Sequence, residues 1–235
     1  MNDEFFLKQR QSSIPWLISV NVAVALVSLF FLIWRGEDPL LLHFALWSTA
    51  LAQGKWWEFF TYMWLHADPR GSGVLHIIFN MFTLHMFGRL VEARLGRFSF
   101  LGLYLAGGII AAFAFFVELW VRNGFVIARI AEGEPRIVIG ASGAIVAVVT
   151  AFAWLWPDAK LFVLFLPFPV KAKYALAGFV VLSFGLLFYP PLAFIGHSAH
   201  LGGVATGCVW MWLRRFSRRA QLQDDVFNDY NSLFR

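Results

Sequence analysis

The chain has 235 residues, of which 60% are hydrophobic and only 14% charged, with 11 Trp and 27 Phe. A water-soluble domain is about half apolar and a quarter charged, so this composition excludes an ordinary soluble globule and indicates a polytopic membrane protein. The formal net charge of +5 does not indicate nucleic acid, because the basic residues fall in short loops and the C-terminal tail, where they orient helices.

The first apolar stretch, Ile14–Trp34, is too long for the apolar region of a signal peptide. It also lacks a small-residue cleavage site before the next charges. It reads as a first span, since about 20 residues cross a bilayer core. Pro39–Ala52 is apolar but only 14 residues long, which fits an interfacial or half-inserted segment. Further spans are expected at Val74–Leu90, Phe98–Val121, Ser142–Trp156, Tyr174–Tyr189 and Ser198–Leu213. Leu161–Val170, broken by Pro167 and Pro169, reads like Pro39–Ala52. The single Cys208 excludes an internal disulfide and a Cys-based zinc cluster. No stretch has the composition of an interdomain linker. The expected fold class is therefore all-α: one membrane domain over residues 1–235, a six-helix bundle with short cytoplasmic tails at 1–13 and 214–235.

Lysine and arginine placement orients the bundle. With the N-terminus inside, 13 basic residues lie on the inner side and 6 on the outer. The positive-inside rule then places both termini in the cytoplasm.

Two polar side chains stand at the heads of late spans. Ser142 lies in Val138-Ile-Gly-Ala-Ser-Gly-Ala-Ile-Val146, and His200 in Ala199-His200-Leu-Gly-Gly203. A hydroxyl and an imidazole so placed are the parts of a nucleophile–base pair, and intramembrane polar groups point to function. Gly143, Ala147 and Ala151 form a small stripe, as do Ala199, Gly203 and Gly207. Such stripes let membrane helices approach closely, although they also occur in bundles without catalysis. His76 and Asn80 share one helix face at i, i+4. They could donate hydrogen bonds to a developing oxyanion or simply join helices. Ser142, His200 and His76 stand 15, 14 and 13 residues above Pro157, Arg214 and Arg89. At 1.5 Å per residue these are heights of roughly 20–22 Å. In a core about 30 Å thick, all three lie some 8–10 Å below the outer surface. A metal or haem site on His43, His66, His76, His85, His197 and His200 is the weaker reading. No carboxylate lies near them inside a span, and their spacing shows no ligand-like repeat.

Gly140-Ala-Ser-Gly143, Ala199-His200-Leu-Gly-Gly203 and His76-Ile-Ile-Phe-Asn80, in this helical order, resemble the rhomboid intramembrane serine proteases of the bacterial six-helix type. Gly88-Arg-Leu-Val-Glu92-Ala-Arg94-Leu-Gly96 resembles the family's conserved loop turn. The resemblance runs from roughly Lys55 to Arg214. It implies a Ser142–His200 dyad without an acidic third member, with His200 as base and then acid. His76, Asn80 and the Ser142 N–H would form the oxyanion site. His66 would structure the first loop, and Gly140, Gly143 and Gly203 would support the close backbone approaches. The substrates implied are single-pass transmembrane proteins in a lipid bilayer, cut within or beside their span, with no cofactor and no metal. The implied location is the bacterial inner membrane, with the active site opening to the outer side.

Three departures stand out. The family's frequent Trp-Arg aligns with Trp57-Glu58. The aromatic that often follows the serine by four residues and stacks on the histidine is Val146. Asp68-Pro-Arg-Gly-Ser-Gly73 lengthens the stretch between His66 and His76. The alternatives are a catalytically weak rhomboid-like membrane-protein binder and a small transporter. A transporter is expected to show paired intramembrane charges or repeated broken helices, whereas Glu118 is the only acidic residue well inside a predicted span.

Overall fold

The computed structural model describes residues 12–68, 70, 73–124, 136–163, 167–188 and 196–232, with side chains through Arg215. Six helices dominate. α1 spans Ile14–Arg35 and is followed by a short helix, α2, at Pro39–Phe44 and a two-residue strand, β1, at Leu46–Trp47. A helical turn, α3, covers Glu58–Thr61 and runs into a tighter turn at Tyr62–Trp64. α4 spans Gly73–Leu95 and α5 Arg97–Arg122. Strand β2, Ile137–Val138, precedes α6, Ser142–Leu155. Strands β3, Lys160–Leu161, and β4, Val170–Lys171, pair before α7, Ala172–Leu186. α8 runs from His197 to Ser232.

α1, α4 and α5 are long and apolar enough to cross a membrane, and α6 and α7 are shorter apolar helices. The 14 residues of α6 rise only about 21 Å, less than a hydrocarbon core of ~30 Å. The helix is also the most enclosed, with nine of its 14 residues buried. It lies against α5 and α8, and those two helices pack on each other. By contrast, α1 and α7 turn Leu26, Phe30, Ile33, Val181, Leu182 and Phe184 outward. Apolar side chains there match the surrounding lipid, so little drives them inward.

Small residues set the central contacts. A Cβ built on Gly203 of α8 would overlap the Gly143 carbonyl oxygen of α6. One on Gly207 would lie 2.7 Å from the Ala147 carbonyl oxygen, and one on Gly107 of α5 would lie 2.6 Å from Ala147 Cβ. The two small stripes therefore face each other, as their spacing suggests, and α5 closes the third side.

Three sequence expectations need revision or refinement. The run from Gly88 is no turn but the last turns of α4. The reversal falls on Gly96, at φ 82°, where only glycine is relaxed. A Cβ on Gly88 would meet Ile14 Cδ1 at 2.7 Å, so that glycine serves the α1–α4 contact. Leu161–Val170 forms the end of an antiparallel ladder, with residues 164–166 outside the described set. The tail from Arg214 continues α8 as helix to Ser232, helped by the good helix formers Arg218-Arg219-Ala220-Gln221-Leu222-Gln223. The expected end of the fifth span at Tyr189, the N-terminal residues 1–11, and Pro69, Gly71 and Ser72 lie outside the described residues.

Polar groups tie the periphery. Glu92 of α4 accepts hydrogen bonds from the Ser13 N–H, at 2.8 Å, and from the hydroxyls of Ser12 and Ser13. A carboxylate thus caps the N-terminus of α1 from another helix. Glu118 pairs with Arg122 at 2.7 Å and with Arg136 at 3.3 Å. It is held by two guanidiniums rather than reaching outward alone.

The Gly143–Gly203 approach predicts an asymmetry. Gly203→Ala must push two backbones apart and should lower stability by about 2 kcal/mol. Gly178→Ala on α7, where a Cβ meets nothing within 4 Å, should be neutral or slightly stabilising. Thermal unfolding of the two variants in detergent micelles checks this.

Candidate active site

Ser142 is the first residue of α6. Its N–H is one of the helix's leading amides, which have no intrahelical acceptor. The segment before it is fixed twice to the first loop. β2 pairs antiparallel with β1, Leu46 opposite Val138 and Trp47 opposite Ile137. The Gly140 N–H then donates to the Tyr62 carbonyl at 3.0 Å. Gly140 has φ 110°, a conformation strained for any side chain bearing a Cβ. Tyr62 is itself pinned, its hydroxyl donating to the Gly108 carbonyl at 2.7 Å. Together these bonds fix how the chain enters α6.

His200 lies in the first turn of α8, where its N–H reaches the Gly196 carbonyl at 3.2 Å. Its Nε2 is 2.9 Å from Ser142 Oγ. With the imidazole proton on Nδ1, the serine hydroxyl donates to Nε2 and is poised to lose its proton there. Both side chains are half-buried. Among the described residues no carboxylate is bonded to His200, and no three metal-ligating side chains gather.

His76 and Asn80 face the same place. A Cβ built on Gly140 would stand 2.8 Å from His76 Nε2 and 3.8 Å from Asn80 Nδ2. The glycine therefore leaves room for both side chains beside the backbone leading to the serine. Asn80 is buried, and its amide nitrogen has no hydrogen-bond partner among the described residues. An orphaned buried donor is costly, and its need would be met by an acceptor brought into this space. His66 is buried behind, its ring centroid 5.2 Å from that of His76. Gly143 directly follows Ser142 and Gly203 lies three residues after His200, at the contact that brings the two helices together. All eight residues singled out from the sequence thus cluster around the head of α6.

Two further residues support the site. Phe179 of α7 places its ring centroid 5.7 Å from that of His200, so an aromatic neighbour comes from α7 although position 146 is valine. Nothing distinguishes Phe179 among the 27 phenylalanines. Glu58 is fully buried in the first loop and accepts from the Trp47 N–H at 2.9 Å, with Lys55 Nζ 3.8 Å away. A lone charge inside Trp56-Trp57-Glu58-Phe59-Phe60 was a readable sign of a structural carboxyl. It anchors β1, and through β2 the approach to Ser142.

Burial raises the Glu58 pKa, against the lowering effects of the Trp47 N–H and Lys55. The folded chain therefore holds this proton more tightly than the unfolded chain does. Its contribution to stability is largest at low pH and falls as pH rises past the unfolded value. Glu58→Gln, which keeps an acceptor for Trp47, should flatten the pH dependence of the unfolding midpoint above the ordinary carboxylate value. Glu58→Ala should destabilise the fold at every pH, by about 1–3 kcal/mol for the orphaned N–H.

Comparison with known proteins gives the family. The Rhomboid domain family matches residues 53–216. The chain is 36% identical over 138 residues to presenilin-associated rhomboid-like protein A, mitochondrial, of Danio rerio, covering 58% of this chain and 33% of that protein. It is 27% identical over 228 residues to rhomboid-like protein 11, chloroplastic, of Arabidopsis thaliana, covering 93% and 71%. With rhomboid protease GluP of Bacillus subtilis it shares 27% identity over 202 residues, covering 84% and 34%. The match thus spans about a third of the Danio and Bacillus proteins. With a family match over more than half its length, on an apolar helical bundle, the chain belongs to the rhomboid family of integral membrane proteins.

Proposed function

We propose that the chain is an intramembrane serine endopeptidase that cleaves single-pass membrane proteins within or next to their transmembrane segment. The observation that carries this reading is the 2.9 Å approach of His200 Nε2 to Ser142 Oγ. The name of the Bacillus relative, a rhomboid protease, supports it.

The chemistry follows from the positions. Ser142 Oγ attacks the scissile carbonyl while His200 Nε2 takes its proton. Negative charge then develops on the carbonyl oxygen. The Ser142 N–H at the positive end of α6, the Asn80 amide and the His76 ring stand where they can donate to it. His200 returns the proton to the leaving amine, leaving an acyl-enzyme at Ser142. Water, deprotonated by His200, releases the second product and restores the serine. With both termini cytoplasmic, the head of α6 lies toward the outer side, where water has access. A substrate helix must unwind there, because its backbone groups are bonded within the segment.

The test is proteolysis of a model single-pass substrate in liposomes. Ser142→Ala and His200→Ala should abolish cleavage while leaving the unfolding midpoint near that of the wild type. Asn80→Ala or His76→Ala should slow turnover by roughly 10- to 1000-fold with the dyad intact. Substantial cleavage by Ser142→Ala rules out the serine mechanism. Unchanged turnover in both oxyanion variants assigns His76 and Asn80 to helix packing.

A further inference from the structure

We propose that Phe179 is a positioning residue for His200, so that the orientation of the base depends on where α7 sits. The inference rests on the serine-protease reading and adds a residue to it.

The first observation is the ring contact. Phe179 and His200 lie 5.7 Å apart with their planes inclined at 42°, within the range in which aromatic pairs attract. The second is what else holds the imidazole. Ser142 meets one ring nitrogen, and the His197 ring stands 6.3 Å away, nearly perpendicular. No described carboxylate fixes the ring, so face and edge contacts decide its rotation. On α6, position 146 carries an aliphatic side chain, and a Cβ built on Gly203 would lie 3.2 Å from Val146 Cβ.

The third observation is where Phe179 comes from. Leu176, Phe179 and Ser183 lie on the inward face of α7, and Ala172 and Ser183 are the residues of that helix that are buried. Val181 and Leu182 are 72% and 60% exposed. Hydrogen bonds fasten α7 at both ends. At the start, the Ala172 and Lys173 N–H groups donate to the Ala159 and Pro157 carbonyls at 2.8 and 3.1 Å. Near the finish, the Arg122 guanidinium donates to the Leu187 carbonyl. Phe179 lies between these ends, on the helix whose opposite face is exposed. Displacing it removes a contact from the base without disturbing Ser142, which is fixed by the first loop and α5.

The test compares Phe179→Leu, Phe179→Ala and Phe179→Tyr with the outward-facing control Leu182→Ala, in the full chain in liposomes. It reads the rate of fluorophosphonate labelling, then kcat and KM on a cleaved single-pass substrate. Phe179→Leu keeps apolar volume and loses the ring. It should label roughly 2- to 10-fold more slowly, with kcat reduced alike and KM unchanged. Phe179→Ala should do the same, and Phe179→Tyr should restore the wild-type rate. Equal labelling by Phe179→Leu and wild type overturns the proposal. So does a loss matched by Leu182→Ala, or one that Tyr does not restore. A folded wild type that is not labelled overturns the dyad itself, and the positioning role with it.

Discussion

The structure depends on one close approach. At Gly203 the last helix comes so near the carbonyl of Gly143 that no side chain fits between them. Three residues before Gly203 is His200, and one before Gly143 is Ser142, so this contact sets the distance between imidazole and hydroxyl. In lipid no hydrophobic driving force holds two apolar helices together, and packing must do so. A backbone-to-backbone contact fixes spacing more rigidly than interdigitated long side chains would. Gly207 against Ala147 and Gly107 against Ala147 extend the contact and bring in α5.

The rest of the molecule holds the head of α6 from the other side. The first loop contributes a strand pair, the Tyr62 carbonyl and, behind them, the buried Glu58 carboxyl. The departure from Trp-Arg to Trp57-Glu58 therefore marks a change in how the loop is tied, with Glu58 turned inward onto Trp47. α4 presents His76 and Asn80 across Gly140, and α1 is locked to α4 through Glu92. α7, like α1, turns much of its surface outward. On the proposed reading, this gives the nucleophile rigid support and the base a more lightly packed neighbour.

Much of this was legible in the sequence because membrane physics leaves strong signals. Long apolar runs marked the helices, since only self-bonded segments survive in lipid. Ser142, His200, His76 and Asn80 stood out because polar groups are rare there, and the glycine stripes predicted which faces meet. What stayed hidden lay where those signals vanish. Phe179 is one apolar residue among many, and its partner is known only from three-dimensional packing. The contacts of Glu92 and Tyr62 join residues 79 and 46 positions apart, which no local pattern reports. The run from Gly88 to Gly96 suggested a turn through its two glycines. One ends a helix, whereas the other serves a helix contact, and spacing alone does not separate these uses.

The central claim is that the glycine contact brings Ser142 and His200 together as a reactive pair. A 4-chloroisocoumarin tests it most directly, because serine opens its ring and a neighbouring imidazole can then displace the chloride. Peptide mass spectrometry of the treated protein should find one bridge, joining the peptide of Ser142 to that of His200. An adduct on a different serine, or a bridge from Ser142 to another histidine, contradicts the account.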